Sequence, residues 1–421
     1  MIRFHNGKVL TMDGGMTVTE QEVWTDGARI SYVGPARQDA PVFEREIDLK
    51  GDLLMPGFKN AHAHSAMTFL RSFADDLPLQ SWLFDKVFPL EARLTPDDIY
   101  ALTKLAILEY LAAGITCAFD MYYKREAFAQ ASVECGFRMV LNGALAAGDD
   151  WTVADADCEK FNAMGPLISY IPGIHAEYTA STDLLAYMKK LIDRTGKPFF
   201  THNSETASEV AECIGRHGMT PTALFEEYGL FENGGGGFHC VHLNEADMEI
   251  FRRRGLWAVT CPASNSKLAS GIAPIAEMQR RGIHIAIGTD GPASNNALSM
   301  FREMYPECVL QKLREKDAAV CDAAEVLRMA CSGGALAMGL DAECIRAGKL
   351  ADLTVIDLHR PNMVPVHNIV KNLVYSGSDA NVRMTMVNGK LLYEDGVFHV
   401  GDSPETIYRM AQEAADRLTK D

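Results

Sequence analysis

The sequence predicts an α/β protein: a (β/α)₈ TIM-type barrel carrying a small β-sandwich domain built from both chain ends. Three observations support this. Short apolar strands alternate with helical patterns through the middle of the chain. Both ends read as strands and hairpins. And the 421 residues suit one barrel of roughly 250 residues or more plus a smaller unit. The domain boundaries follow: 1–55 for the N-terminal part of the small β domain, 56–345 for the barrel, and 346–421 for the C-terminal part with a last helix.

At the start, Val23-Trp24-Thr25 and Arg29-Ile30-Ser31-Tyr32-Val33 flank Asp26-Gly27-Ala28 as a hairpin. Met55-Pro56-Gly57 marks a boundary. Strands follow around 58–64, 115–122, 137–144, 168–176, 198–204, 237–243, 257–263 and 284–290. Helical patterns separate them at 97–113, 124–135, 182–195, 207–216, 245–254 and 272–282. The Gly234–Gly237 run carries no phosphate-loop lysine and reads as a flexible approach to the sixth strand. No G-x-G-x-x-G follows the first strand and no G-x-x-x-x-G-K-[ST] occurs, so nothing favours a nucleotide crevice in an open sheet. Near the end, Ala351–Leu358 is a strand, and Asn388-Gly389 joins Val382–Val387 to Lys390–Tyr393 as a type I′ hairpin. Ser403-Pro404-Glu405 starts a final helix with Ile407, Met410, Ala411, Ala414 and Leu418 on one face.

Composition narrows the function classes. The chain is 48% hydrophobic and 23% charged, as expected of a globular protein with ample core. Its net charge of −16 argues against nucleic acid or an anionic membrane as a partner. The N-terminus lacks an apolar leader, and no run approaches a membrane span, so a cytoplasmic location is expected. Ten scattered Cys with no C-x-x-C read as buried reduced thiols.

The chemistry lies at the strand ends, where barrels of this type place catalytic groups. The first strand ends Asn60-Ala61-His62-Ala63-His64. Residues i and i+2 share a face, so both imidazoles can project into the barrel mouth. The fourth strand ends at His175. The fifth ends at His202, with Glu205 just beyond. The eighth ends Gly288-Thr289-Asp290. The sixth reads His239-Cys240-Val241-His242. Positions three apart face opposite ways, so only one His of this pair can line the mouth. His242 comes last and is taken as functional, with His239 as structural. Each residue alone has an ordinary explanation: a core histidine, a turn aspartate. Histidine at four strand ends and an Asp at a fifth do not share one. Such a set with an open position suits Zn²⁺, with Fe²⁺ or Mn²⁺ as alternatives.

This constellation resembles the amidohydrolase superfamily, and within it the S-adenosylhomocysteine/methylthioadenosine deaminase branch, which lies near the triazine hydrolases. The match covers nearly the whole chain. It runs from Met55-Pro56-Gly57 through His62 and His64, His202 and Glu205, and His242. Cys261-Pro262-Ala263-Ser264-Asn265-Ser266-Lys267-Leu268, Gly288-Thr289-Asp290-Gly291 and Gly348-Lys349-Leu350-Ala351-Asp352-Leu353 complete it. The resemblance implies one metal per chain, held by His62, His64, His202 and Asp290. It implies Glu205, His242 and Asp290 as catalytic, and His175, Trp82, Glu91 and Glu205 as substrate contacts. Binuclear members use a carbamylated lysine at the end of the fourth strand. Here that end carries His175, consistent with a single ion.

The implied reaction is hydrolytic deamination of an adenosine-type nucleoside: adenosine, 5′-deoxyadenosine, methylthioadenosine or S-adenosylhomocysteine. One departure bears on the substrate. Members that bind the homocysteine carboxylate carry arginine at and after the third strand, where this chain reads Asn142-Gly143-Ala144-Leu145. The bidentate clamp is missing there, so a short or neutral 5′ group is favoured. Two alternatives stand beside this reading. One is an aminohydrolase or chlorohydrolase of a pterin, guanine or triazine. The other is a non-catalytic metal-binding barrel scaffold. Homo-oligomers are common among such relatives, and the sequence is silent on assembly.

Overall fold

A computed structural model of the chain describes residues 1–77 and 81–420. The middle of the chain forms eight parallel strands: β1 (Phe58–Ala63), β2 (Ile115–Met121), β3 (Arg138–Asn142), β4 (Ile168–Ile171), β5 (Phe199–Asn203), β6 (Gly235–His239), β7 (Trp257–Thr260) and β8 (His284–Ile287). They fall into two four-stranded sheets, β1 to β4 and β5 to β8, each in sequential order. Isolated parallel bridges join the sheets at both seams, Ala63 to Asp290 and Gly173 to Phe200. Side chains from both sheets meet in one interior cluster that includes Ala61, Phe119, Val140, Phe200, Phe238, Val259 and Ala286.

The intervening helices begin where the sequence offers caps. Helix α1 (Pro96–Ala112) has Thr95 as N-cap in a capping box with Asp98. Helix α2 (Ala207–His217) repeats the device with Thr206 and Glu209, and Gly218 ends it in the left-handed conformation. Close strand approach is set by glycine. A Cβ at Gly235 would stand 1.9 Å from Phe199 O, and one at Gly236 would stand 2.1 Å from Trp257 O. The glycine run is therefore the sixth strand itself, pressed between its neighbours, rather than a loose approach to it. As a result that strand starts and ends earlier than the sequence suggested.

The chain ends pair as expected. The N-terminal hairpin Glu22–Asp26 and Arg29–Gly34 lies in a four-stranded sheet with Ile2–His5 and Arg45–Asp48. A second, seven-stranded sheet mixes both ends, pairing Leu53–Pro56 antiparallel with Leu353–Ile356. Asn388 and Gly389 both have positive φ, 51° and 75°, as a type I′ turn requires. Phe4, Val23, Ile30, Leu54, Val355 and Met384 share one core cluster.

Helix α3 (Met300–Glu315) places two fully buried carboxyls behind the sheet, Glu303 and Glu307. Glu307 accepts from Thr260 Oγ1 at 3.1 Å, and its other oxygen has no partner. Burial raises its pKa to about 7. A carboxyl raised in the folded state contributes fully below its unfolded pKa of about 4.5, and that contribution is lost as the pH climbs through about 7. Glu307→Gln is therefore expected to match wild type in stability near pH 4. Above pH 7 it should become the more stable by about 1–3 kcal/mol, because each pH unit between the two values is worth roughly 1.4 kcal/mol. Urea unfolding at the two pH values checks this; a gap that does not widen with pH removes the argument.

The last helix, α4 (Pro404–Thr419), packs on α1; its Ile407, Ala411, Ala414 and Leu418 belong to the main core, and Arg417 pairs with Asp98. All ten cysteines are free and buried. Among the described residues no helix is long and apolar enough to cross a membrane.

Candidate metal centre

Strand alternation brings the first two imidazoles together. His62 and His64 sit at the end of β1 and just beyond it, with ring centroids 4.8 Å apart. His62 is wholly buried and stacks on Phe238, centroids 3.9 Å apart and planes 19° from parallel. Across the seam Asp290 N donates to His62 O at 3.0 Å, and Asn60 bonds Thr289 through both its amide atoms. A Cβ at Gly288 would lie 2.6 Å from both His62 Cβ and its backbone N, so only glycine allows β8 this close. Asp290 then takes a positive φ of 60°, which turns its carboxylate into the mouth.

Two groups of polar atoms converge there: His62, His64 and Asp290, and His62, His202 and His239. Asp290 Oδ1 stands 3.5 Å from His62 Nε2 and 3.2 Å from His64 Nε2. His202 Nε2 stands 3.2 Å from His62 Nε2. The rings are oriented from behind: His64 Nδ1 donates to Met121 O at 2.6 Å and His202 Nδ1 to His175 O at 2.7 Å. With Nδ1 committed to a carbonyl, Nε2 is the nitrogen that each ring turns to the group, the usual arrangement of a metal-ligating histidine.

The electrostatics agree with a cation site. Burial pushes His62 down to about 3, and burial with the neighbouring imidazoles pushes His202 well below its ordinary value, so both rings are neutral donors. His64 differs. Burial opposes its charge, but the Asp290 carboxylate outweighs burial and raises it to about 9. A cation entering the group takes the place of that proton. Three imidazole nitrogens and one carboxylate oxygen, all buried, fit a divalent ion with nitrogen and oxygen preferences.

Above this group lies a pocket lined by Glu205, His239, His175, Trp82 and Glu91. Glu205 follows β5, where Ser204 turns the chain with φ 54°. Its Oε1 accepts from Ser270 Oγ at 3.2 Å, and its Oε2 is 3.9 Å from His239 Nε2. His239 Nδ1 donates to Asn265 Oδ1 at 2.8 Å. His175 faces the same pocket with Nδ1 3.2 Å from Thr179 Oγ1, and burial lowers it to about 4. Glu91 accepts from the Tyr122 hydroxyl, and burial outweighs that bond to raise its pKa to about 7. Trp82, buried, forms part of the wall.

One expectation needs correcting. His242 lies outside this group: its Nε2 donates to Ser270 O at 2.8 Å. The sixth strand supplies His239. The alternation argument assumed a strand running to residue 242, whereas β6 ends at His239. His239 and Cys240 both have left-handed φ, 69° and 52°. That break lets Phe238 point into the core while the very next side chain still reaches the mouth. The one usable signal was the glycine run, which would have set the strand two residues earlier.

The chain matches the amidohydrolase family model over residues 53–392. It belongs to the amidohydrolase family. Among its relatives is the 5-methylthioadenosine/S-adenosylhomocysteine deaminase of Pelotomaculum thermopropionicum, 38% identical over 99% of this chain and 98% of the relative. The 5′-deoxyadenosine deaminase of Methanopyrus kandleri is 36% identical over 97% of this chain and 99% of the relative. The crystal structure of an adenosine deaminase from Xanthomonas campestris with bound Zn superposes with a TM-score of 0.95 at 31% identity. That superposition covers 100% of this amidohydrolase and 99% of the neighbour.

Proposed function

We propose that this amidohydrolase is a zinc-dependent hydrolytic deaminase of adenosine-type nucleosides. We read its two parallel sheets as halves of one (β/α)₈ barrel, with the paired chain ends as a small β domain. The observation that carries the function is the placement of Glu205 and His239 directly beside the four donors of His62, His64, His202 and Asp290. A purely structural ion has no need of two further titratable groups aimed at its open side.

His62, His64, His202 and Asp290 would hold the ion, which would supply the Lewis acidity that makes a water nucleophilic near neutral pH. The chain's own groups then divide the work. Asp290, beside His62 and His64, would accept a proton from that water. His239, held by Asn265, orients the water towards C6 of the purine. Glu205 delivers a proton to the adjacent ring nitrogen, N1, so that C6 becomes electrophilic. The C6–O bond forms and the C6–N bond breaks: the C6 hydroxyl proton passes through Glu205 to the amine, which leaves as ammonia, and the proton held by Asp290 then restores Glu205. Water plus the nucleoside thus gives the inosine analogue. Glu91 and Trp82 are placed to hold the ribose, and His175 contacts the substrate from β4.

A cavity of about 390 Å³ adjoins the metal-side pocket, sharing Phe88, Glu91, Tyr123 and His175 with it. Its remaining wall is mostly apolar, with Ala92, Leu94 and Ile99, and Lys124 is its single cation. Arg125, nearby in sequence, is engaged by Asp157 and Gly143 O. A substituent leaving the ribose at Glu91 would enter this cavity, which suits a short, uncharged 5′ group. Ammonia release from adenosine, 5′-deoxyadenosine, methylthioadenosine and S-adenosylhomocysteine tests the reading. The zinc-loaded protein should turn over the first three, lose activity with a chelator and regain it with zinc. Preference for S-adenosylhomocysteine would overturn the 5′ assignment. Activity confined to guanine, a pterin or a triazine would overturn the nucleoside.

A further inference from the structure

The far oxygen of Asp290 is held by two hydroxyls that the proposed chemistry does not use. Ser264 Oγ and Ser294 Oγ each donate to Asp290 Oδ2 at 2.6 Å. Both serines are buried, at 0% and 1% exposure. They come from different segments: Ser264 from the short helix after β7, Ser294 from the turn after β8. The Ser294 hydroxyl also has Gly291 O at 3.0 Å, but the shorter bond to a charged acceptor is the stronger. Oδ2 is thereby saturated, and Oδ1 alone faces His62 and His64.

A third residue ties the two segments together. Glu303, fully buried on α3, accepts from Ala263 N at 3.0 Å through one oxygen. Through the other it accepts from Asn295 Nδ2 at 2.6 Å, and that same amide reaches Thr289 O at 2.7 Å. Ala263 precedes Ser264, and Asn295 follows Ser294. One carboxyl therefore fixes the neighbours of both clamping serines.

We propose that Ser264 and Ser294 are positioning residues that restrict Asp290 to one-oxygen ligation, and that Glu303 braces them. The physical reason is coordination. A free carboxylate can swing and offer both oxygens, which would occupy the position a catalytic ion must keep open for water. Two hydroxyl donors on Oδ2 hold that oxygen away. The inference rests on Asp290 being a metal ligand.

The test uses the full chain with Ser264→Ala, Ser294→Ala and the double variant, with Ser266→Ala as control. Ser266 lies on the same short helix but donates to Pro262 O. Supporting residues around metal sites typically matter by about 10–100-fold. The double variant is expected to lose about that much zinc affinity by chelator competition, and about that much kcat, with KM within about twofold. Its Co²⁺ form should show altered visible absorption, reporting changed coordination. Ser294→Thr, which keeps the hydroxyl, should restore kcat. Glu303→Gln, which replaces an acceptor with a donor, should show the same signature more weakly. Wild-type zinc affinity, Co²⁺ spectrum and kcat in the double variant would overturn the proposal, as would equal losses in Ser266→Ala. If the variants lose zinc affinity while wild type deaminates no adenosine-type nucleoside, the clamp stands and the functional reading falls.

Discussion

Glu205→Gln is expected to lower kcat by about 10²–10⁴-fold, the range for losing a general acid–base group, while zinc content stays at the wild-type level. The reasoning is geometric. Glu205 lies past the end of β5, outside the two groups formed by His62, His64, His202, His239 and Asp290, yet it lines the same pocket. The amide keeps the volume and can still accept from Ser270 Oγ, so the pocket should hold its shape. What it loses is the ability to give a proton to the ring and pass it on. The split between metal binding and turnover is the diagnostic. A variant that turns over at the wild-type rate would remove Glu205 from the chemistry. One that loses zinc in step with activity would make it a ligand instead.

The second large effect separates the two histidines of the sixth strand. His239→Ala should cost about 10²–10⁴-fold in kcat. His242→Ala should cost about tenfold or less, the worth of one neutral hydrogen bond. His239 Nε2 points at Glu205 from 3.9 Å and its other nitrogen is anchored by Asn265. The His242 side chain is tied to Ser270 O, and Ser270 Oγ in turn bonds Glu205. Some loss in His242→Ala is therefore expected, because Ser270 also holds Glu205. Steady-state kinetics on both variants decide the matter: the reverse ranking would return the role to His242.

Much of this protein can be read without coordinates, for identifiable reasons. The helices were legible because apolar spacing is local, and because Ser403-Pro404-Glu405 marks the start of the last one in three residues of sequence. His62 and His64 were legible because a two-residue period is a local rule with no tertiary input. The terminal hairpin at Asn388-Gly389 was legible for the same reason, since few dipeptides accept two positive φ values.

The errors share a single origin. The glycines before His239 look like a loop when read alone. They are a strand because Phe199 O and Trp257 O approach too closely for any side chain. That crowding moved the strand end, two left-handed residues followed, and the histidine facing the pocket is His239. The apolar face of the last helix was visible, but its place against α1 depended on a partner more than 300 residues away.

By itself the sequence determined which residue types stand at the strand ends, because strand period, turn chemistry and capping are set by neighbours along the chain. Only the tertiary structure decided which of those side chains share one space, and that Ser264, Ser294 and Glu303 stand behind Asp290. Those contacts join segments far apart in sequence, and their geometry depends on how closely separate strands can approach, a property that no single segment encodes.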